Sequence, residues 1–202
     1  MADPNVFQIL KSNAVLWYNT NLADLANPDP DAVLAGAAWG GTWARLGATK
    51  APLTCLYEDE RSDVNVEENL AAVFRYKTSE ALTLETVLAE LDVDYLALAT
   101  EGTVSVDAGV GALIAYDELP VGNRSLLTMY QFGFEGIQPQ SDGALWPVRF
   151  IVYRANIKLG GELSFSKRED DYTGVPITIE ALAPTDLGVD SLFTIQQMKS
   201  IA

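Results

Sequence analysis

The chain has 202 residues, with 28 acidic and 13 basic side chains, no histidine, one cysteine (Cys55) and a net charge of −15. Apolar residues make up 49% of the chain, which is enough for one hydrophobic core and indicates a single domain that spans residues 1–202. The lack of histidine excludes Ser-His-Asp and Cys-His catalysis and the commonest zinc sites, and one cysteine excludes an internal disulfide framework. We expect no enzyme activity, no cofactor and no metal.

Charge and hydropathy also limit the classes of partner that the protein can bind. Because a surface this acidic repels phosphate, we expect no sequence-specific nucleic-acid binding. No apolar run approaches the roughly 18 residues that a membrane helix needs, so no membrane partner is expected.

Short elements and turns open the chain. Residues 1–13 are polar and are expected to form a mobile arm, and 14–18 a strand. An aspartate N-cap, a proline at the first helical position and a glycine stop predict one helical turn over 30–35. Two glycines between two tryptophans at 39–43 predict a turn whose aromatic rings lie in the core.

An acidic stretch follows the strand predicted at 53–57. It lacks helical periodicity, and we predict an extended loop over 58–71. Its acidic residues are Glu58, Asp59, Glu60, Asp63, Glu67 and Glu68.

Alternation then predicts strands in two runs, 72–78 and 82–91. In the first run Phe74 and Tyr76 share one face. In the second run, leucines share one face, and Thr83 and Glu85 lie on the other, which is typical of a half-buried antiparallel strand.

One helix and several strands complete the pattern. Aspartates at 92 and 94 and a glycine at 102 predict a short helix between them. Further strands are predicted at 125–134, 145–157, 163–166 and 175–182, the last with Thr178 and Glu180 opposite two isoleucines. Gly160-Gly161 predicts a tight hairpin turn with positive φ. These short strands predict a mainly β fold: a β-sandwich or incomplete barrel with one or two short helices.

Segments near both ends resemble the major tail tube proteins of long-tailed bacteriophages. The resemblance rests on 28–43, running into Leu46-Gly47, and on a closing hairpin at 160–166 and 170–184. With the strand-rich middle, it covers most of the chain. It consists of sheet-forming residues and turns and contains no chemical signature.

The resemblance implies a structural virion protein. Proteins of this family form hexameric rings in which the sheets of six copies close into one continuous β-barrel, and the rings stack through an extended loop into a tube that conducts the genome. It implies that 58–71 is the inter-ring loop and that 184–202 is a C-terminal arm. The partners it implies are copies of the chain and the tape measure, tail terminator and distal tail proteins, with assembly in the host cytoplasm and a final location in the virion tail.

The same resemblance suggests a lumen. Acidic and polar side chains that face the channel let double-stranded DNA pass without adhering. Alternation makes Thr83, Glu85, Thr178 and Glu180 the candidates for this inner surface, and an outer surface or a protomer interface is an equal alternative for them.

A different functional class also fits a β-sandwich. A carbohydrate- or receptor-binding module would stack sugar rings on exposed tryptophans, here Trp39, Trp43 and Trp146. That module would be a monomer or dimer, whereas a tail tube protein would form six-fold rings or filaments.

Overall fold

A computed structural model describes residues 15–22, 37–64, 73–90, 92–107, 114–122, 127–139, 145–163, 174–185 and 187–197. The described chain is mainly β, with one helix and a strongly curled half-barrel sheet, which confirms the predicted fold class. The arm predicted at 1–13 and the helical turn at 30–35 lie outside the described residues.

The strands and the helix have the following bounds. They are β1 Val15–Asn19, β2 Trp43–Arg45, β3 Thr54–Val64, β4 Phe74–Leu88, α1 Val93–Thr100, β5 Ser105–Asp107, β6 Tyr116–Glu118, β7 Tyr130–Pro139, β8 Leu145–Leu159, β9 Val175–Ala181 and β10 Phe193–Gln197.

The main sheet is antiparallel, and its strand order is β2-β1-β7-β8-β9-β4-β3. Strand β8 is long enough to hold two partners along one edge: its residues 155–159 pair with β9 and its residues 148–152 pair with β10. Strands β5 and β6 form a separate two-stranded hairpin.

The two strand runs predicted at 72–78 and 82–91 are one strand, the 15-residue β4. A bulge explains the broken alternation that separated them, because Glu60 pairs with Ser79 and Arg61 with Lys77, which leaves Thr78 without a partner residue on β3. Among the described residues, β9 pairs with β4 only over 83–88, so the outer half of the β3–β4 hairpin pairs only with itself.

The main core lies on the concave side of the curl. Leu16 of β1 and Leu84 of β4 belong to one buried cluster although three strands separate them in the sheet, which requires the sheet to bend around that cluster. Helix α1 covers part of this side and buries Ala99. Its start is as predicted, since Oδ1 of Asp92 accepts a 2.8 Å hydrogen bond from the backbone N–H of Asp94.

A second, smaller cluster covers part of the opposite face of the sheet. Trp17, Trp39 and Trp43 pack there against Ile151 and Tyr153. The turn predicted between Trp39 and Trp43 is confirmed: both of its glycines have positive φ, and the N–H of Trp43 donates to the carbonyl of Gly40.

The prediction of a tight turn with positive φ at Gly160-Gly161 is wrong. Gly160 and Gly161 do not have positive φ, and 160–174 joins β8 to β9, so they form no tight two-residue turn. Gly160 is instead where the backbone approaches β9, since its N–H donates to the carbonyl of Pro176 at 2.9 Å. The arm predicted over 184–202 contains β10, which is held in the sheet by β8.

Candidate functional site

The four residues predicted to face a channel come together on one face of the sheet. Thr83 of β4 lies directly opposite Glu180 of β9, and Glu85 lies opposite Thr178. They lie on the face opposite the main core. The residues that alternate with them along the two strands are buried in that core: Leu82, Leu84, Ile177 and Ile179. Glu85 is exposed, Thr83 and Glu180 are half-buried and Thr178 is buried. The alternation read from the sequence is therefore confirmed.

Strand β8 extends this polar face and adds a cation. Lys158 lies opposite Thr178 and its Nζ donates a hydrogen bond to Oε1 of Glu180. Asn156 lies opposite Glu180. Because Lys158 neutralises Glu180, Glu85 is the carboxylate that dominates the charge of these four residues. The sequence pattern gave no sign of this pairing, since Lys158 and Glu180 are far apart in the chain.

The acidic segment 58–71 is not a loop over 58–64. There it is the outer part of β3, paired with β4, while Glu67 and Glu68 lie outside the described residues. Strand prediction failed because both faces of this part of β3 are exposed, so the apolar alternation of a half-buried strand is absent. Glu58 and Glu60 are exposed, and Glu60 accepts a hydrogen bond from the hydroxyl of Ser79 on β4.

One face of the outer hairpin is a set of paired charges. Arg75 binds Asp63 through both guanidinium nitrogens that face it, with Nη2 donating to Oδ2 at 3.0 Å. Nε of Arg61 donates to Asp59 at 2.6 Å. Asp63 and Asp59 therefore each have a basic partner within the same hairpin, namely Arg75 on β4 and Arg61 on β3. The acidic pattern of 58–71 did not predict these partners.

Tyr57 and Glu80 complete this charged face at the base of the hairpin. Nζ of Lys77 donates to the hydroxyl of Tyr57 at 2.7 Å and to Oε2 of Glu80 at 2.8 Å, and the Tyr57 hydroxyl donates to the same carboxylate at 2.9 Å. The hydrogen bonds from Lys77 and then from Tyr57 lower the pKa of Glu80 below its usual value. The hydrogen bond from Arg75 likewise lowers the pKa of Asp63.

The other face of the outer hairpin is open to solvent and mixed in character. Glu58, Glu60 and Ser62 lie on it along β3, and its outer end carries Val64, Phe74 and Tyr76, which are 42%, 62% and 44% exposed. The Phe74 and Tyr76 rings stack at 6.4 Å, which confirms that they share a face. We call these three residues the apolar hairpin end. Exposed apolar side chains that lie side by side favour a role in contacts with another molecule.

Two of the three tryptophans named for the alternative function are buried. Trp39 and Trp43 are only 4% and 9% exposed, and their rings pack against one another with centroids 5.0 Å apart. Because sugar recognition needs an open ring face, these two residues cannot supply it in this conformation. Trp146 is half-buried.

Within the described ranges, no three His, Cys, Asp or Glu side chains are grouped so that they could hold a metal ion. No helix in those ranges is long and apolar enough to cross a membrane. No protein-family model matches the chain, and no curated protein is significantly similar to it.

Proposed function

We propose that this protein is a structural subunit that assembles into a tube, in the manner of the tail tube proteins of long-tailed phages, and that it is not an enzyme. The observation that carries this proposal is the β3–β4 hairpin, whose outer half extends beyond its neighbours in the sheet and exposes Val64, Phe74 and Tyr76 at its outer end. A monomer gains nothing from an exposed surface of this kind, whereas a subunit that contacts other copies does.

The open edges of the sheet support closure between copies. Strand β3, with 11 residues, has only β4 as a described partner, and β2 at the other end of the sheet has only β1. Unpaired edges invite strands from other chains, and a closed ring removes them. In the proposed ring, the curled half-barrel sheets of six copies join into one continuous barrel.

The lumen of the proposed barrel is the polar face that carries Thr83, Glu85, Thr178 and Glu180. A net charge of −15 and an exposed carboxylate at Glu85 favour sliding of DNA over binding. The outer hairpin, with Glu58, Asp59, Glu60 and Asp63, is the proposed contact between stacked rings. The tape measure, tail terminator and distal tail proteins are the proposed further partners, and the virion tail, assembled in the host cytoplasm, is the proposed location.

Negative-stain electron microscopy of the purified protein tests the proposal. We expect hollow six-fold rings or tubes. A variant in which Glu60 is joined to Ser79 by Asn-Gly should remove the outer hairpin at a position where the two strands are already paired. We expect this variant to stay folded and to form no long tubes. Monomeric wild-type protein at high concentration, or long tubes from the shortened variant, would contradict the proposal.

A further inference from the structure

Strands β9 and β10 lie one after the other along the same edge of β8. The N–H of Leu182 donates to the carbonyl of Arg154 at 2.8 Å, and the carbonyl of Leu192 accepts from the N–H of the adjacent Tyr153 at 3.4 Å. The chain therefore leaves the line of β9 after residue 182 and returns to it at residue 192. Strand β10 continues that line in the same direction as β9, because both strands are antiparallel to β8.

Strand β4 runs beside this line but pairs with only the first part of it. Its residues 83–88 pair with β9, whereas its outer part, 74–82, has only β3 as a described partner. Strand β10 in turn has only β8 as a described partner. Because β4 is antiparallel to β9, the outer part of β4 is also antiparallel to β10. These two strand edges therefore have the direction that pairing requires, and they are not paired with each other.

Side chains bring the two edges together at their base, beside a cleft. The ring of Tyr57 on β3 contacts the ring of Phe193 at the start of β10, with centroids 5.7 Å apart. A cleft of about 290 Å³ lies between Glu80 of β4 and residues of the 183–192 segment. Ile195, the next residue of β10 on the same face as Phe193, is 59% exposed. The hairpin therefore reaches the start of β10 and leaves the rest of that strand open.

The bulge in β4 lies at the edge of the cleft, just beyond Glu80. Thr78 is the residue without a partner on β3, between Ser79 and Lys77. A bulge bends its strand and increases the local twist. The outer hairpin, formed by residues 61–64 and 74–77, can therefore change its direction at this point while the pairs on both sides of the bulge stay intact.

We propose that the outer hairpin is a hinged flap, and that in the free subunit it turns at the bulge until β4 pairs with β10. Lys77 and Ile195 lie on the same side of the sheet, since Lys77 and Phe193 both contact Tyr57. With Phe193 next to Glu80, Lys77 is the following residue of β4 on this side, so it lies opposite Ile195 in the closed state. The stem of Lys77 then covers Ile195.

This inference rests on the proposed function, in which the hairpin joins stacked rings. An unpaired strand edge invites pairing with other chains, and the closed flap covers two such edges in the free subunit. In the open state described above, the hairpin extends beyond its neighbours in the sheet and reaches another copy. Closing and opening of the flap therefore decide whether a subunit is ready to assemble.

Pairs of introduced cysteines test the closed state. A disulfide needs two Cα atoms within about 7 Å and side chains that point toward each other. In a Cys55→Ser background, Lys77→Cys with Ile195→Cys places two thiols opposite each other on one face of the closed sheet. The matched control, Tyr76→Cys with Ile195→Cys, places the thiols on opposite faces. Circular dichroism checks that both variants fold.

We expect mild oxidation of dilute protein to link 77 to 195 within one chain and to leave 76 and 195 unlinked. Peptide mass spectrometry and gels without reductant show the link. Electron microscopy then compares the linked protein with the same sample after reduction. We expect no long tubes from the linked protein and tubes once the disulfide is reduced, because the hairpin is released.

The other outcomes overturn the inference. A folded variant that forms no 77–195 link means that the flap does not close, or that another segment lies between the two edges. Equal linking in the control means that the edges meet without a defined register. Tubes from the linked protein mean that assembly needs no opening. Wild-type protein without tubes counts against the proposed function, whereas the disulfide result decides the closed state in either case.

Discussion

Arg149 and Glu135 form an ion pair inside the sheet, with Nε donating to Oε2 at 2.7 Å and exposures of only 1% and 2%. They lie opposite each other on β8 and β7. The indole Nε1 of Trp39 also donates to this carboxylate at 3.4 Å, and the guanidinium lies 5.8 Å from the Trp39 ring. The pair therefore anchors the tryptophan cluster to the outer face of the sheet.

Glu135→Gln should destabilise the protein strongly, because it removes the carboxylate charge that faces the buried Arg149 guanidinium. Losses of about 3 to 5 kcal/mol are typical when one member of a buried pair is removed. Urea unfolding followed by tryptophan fluorescence measures the change. The control is Asp59→Asn, which removes an exposed pair with Arg61 and should change stability little. Equal effects of the two substitutions would contradict the importance of burial here.

Gly133→Ala should disturb the packing of the same tryptophan cluster from the β7 backbone. A Cβ at this position would lie 2.2 Å from Cζ3 of Trp39, which is closer than two carbon atoms can approach. We expect a loss of about 1 to 3 kcal/mol and a shift in tryptophan fluorescence. In a Trp39→Leu background the added methyl group has less to displace, so the cost should shrink. An unchanged cost in that background would show that Trp39 is not the obstacle.

Gly160→Ala and Gly161→Ala should differ although the glycines are neighbours. A Cβ at Gly160 would lie 2.6 Å from Oγ1 of Thr178 and 3.0 Å from the backbone of Ile177, whereas the nearest atom to a Cβ at Gly161 is 3.7 Å away. We expect a loss of about 1 to 3 kcal/mol for the first substitution and almost none for the second. Thermal unfolding of both variants checks this. Equal melting temperatures would mean that Gly160 tolerates a side chain.

The outer hairpin should open at acid pH before the core unfolds. Asp63 and Glu80 have pKa values lowered by their basic neighbours in the folded hairpin, so their stabilising contribution is present above the ordinary carboxyl pKa and is lost as the pH falls through the lowered values. Hydrogen exchange of 61–64 and 74–77, between about pH 5 and pH 2, should therefore report faster local opening than the exchange of β7. Arg75→Gln should remove the part of this dependence that belongs to Asp63. The idea fails if the hairpin and β7 open together.

Glu85→Lys tests the lumen. The substitution places a cation on the polar face while the core residues on the opposite side of β4 are untouched, so tubes should still form. We expect these tubes to retain short double-stranded DNA at low salt, to release it at high salt, and to protect it from nuclease. Glu85→Gln is the neutral control and should retain none. Retained DNA that nuclease digests would place Glu85 on the outside of the tube.

The sequence alone determined the alternation within strands and the start of the helix. Thr83 and Glu85 opposite the leucines of β4, and Asp92 at the start of α1, follow from periods of two residues and from capping, which are local properties of the chain. The mainly β fold followed from the same patterns. For the four lumen candidates, the sequence predicted which face of its strand each side chain lies on. It did not predict that the two strands are neighbours in the sheet.

Only the tertiary structure decided which strands meet and which surfaces stay open. The partners Arg149 and Glu135, and Lys158 and Glu180, depend on pairing between strands, and β10 is held in the sheet by contacts with a strand more than 40 residues earlier, a separation that no local pattern encodes. The outer part of β3 was predicted as a loop because a strand exposed on both faces has no apolar period. Whether a side chain is exposed depends on the segments that pack beside it in the folded chain. The residue types of a segment therefore do not by themselves show which surface that segment forms.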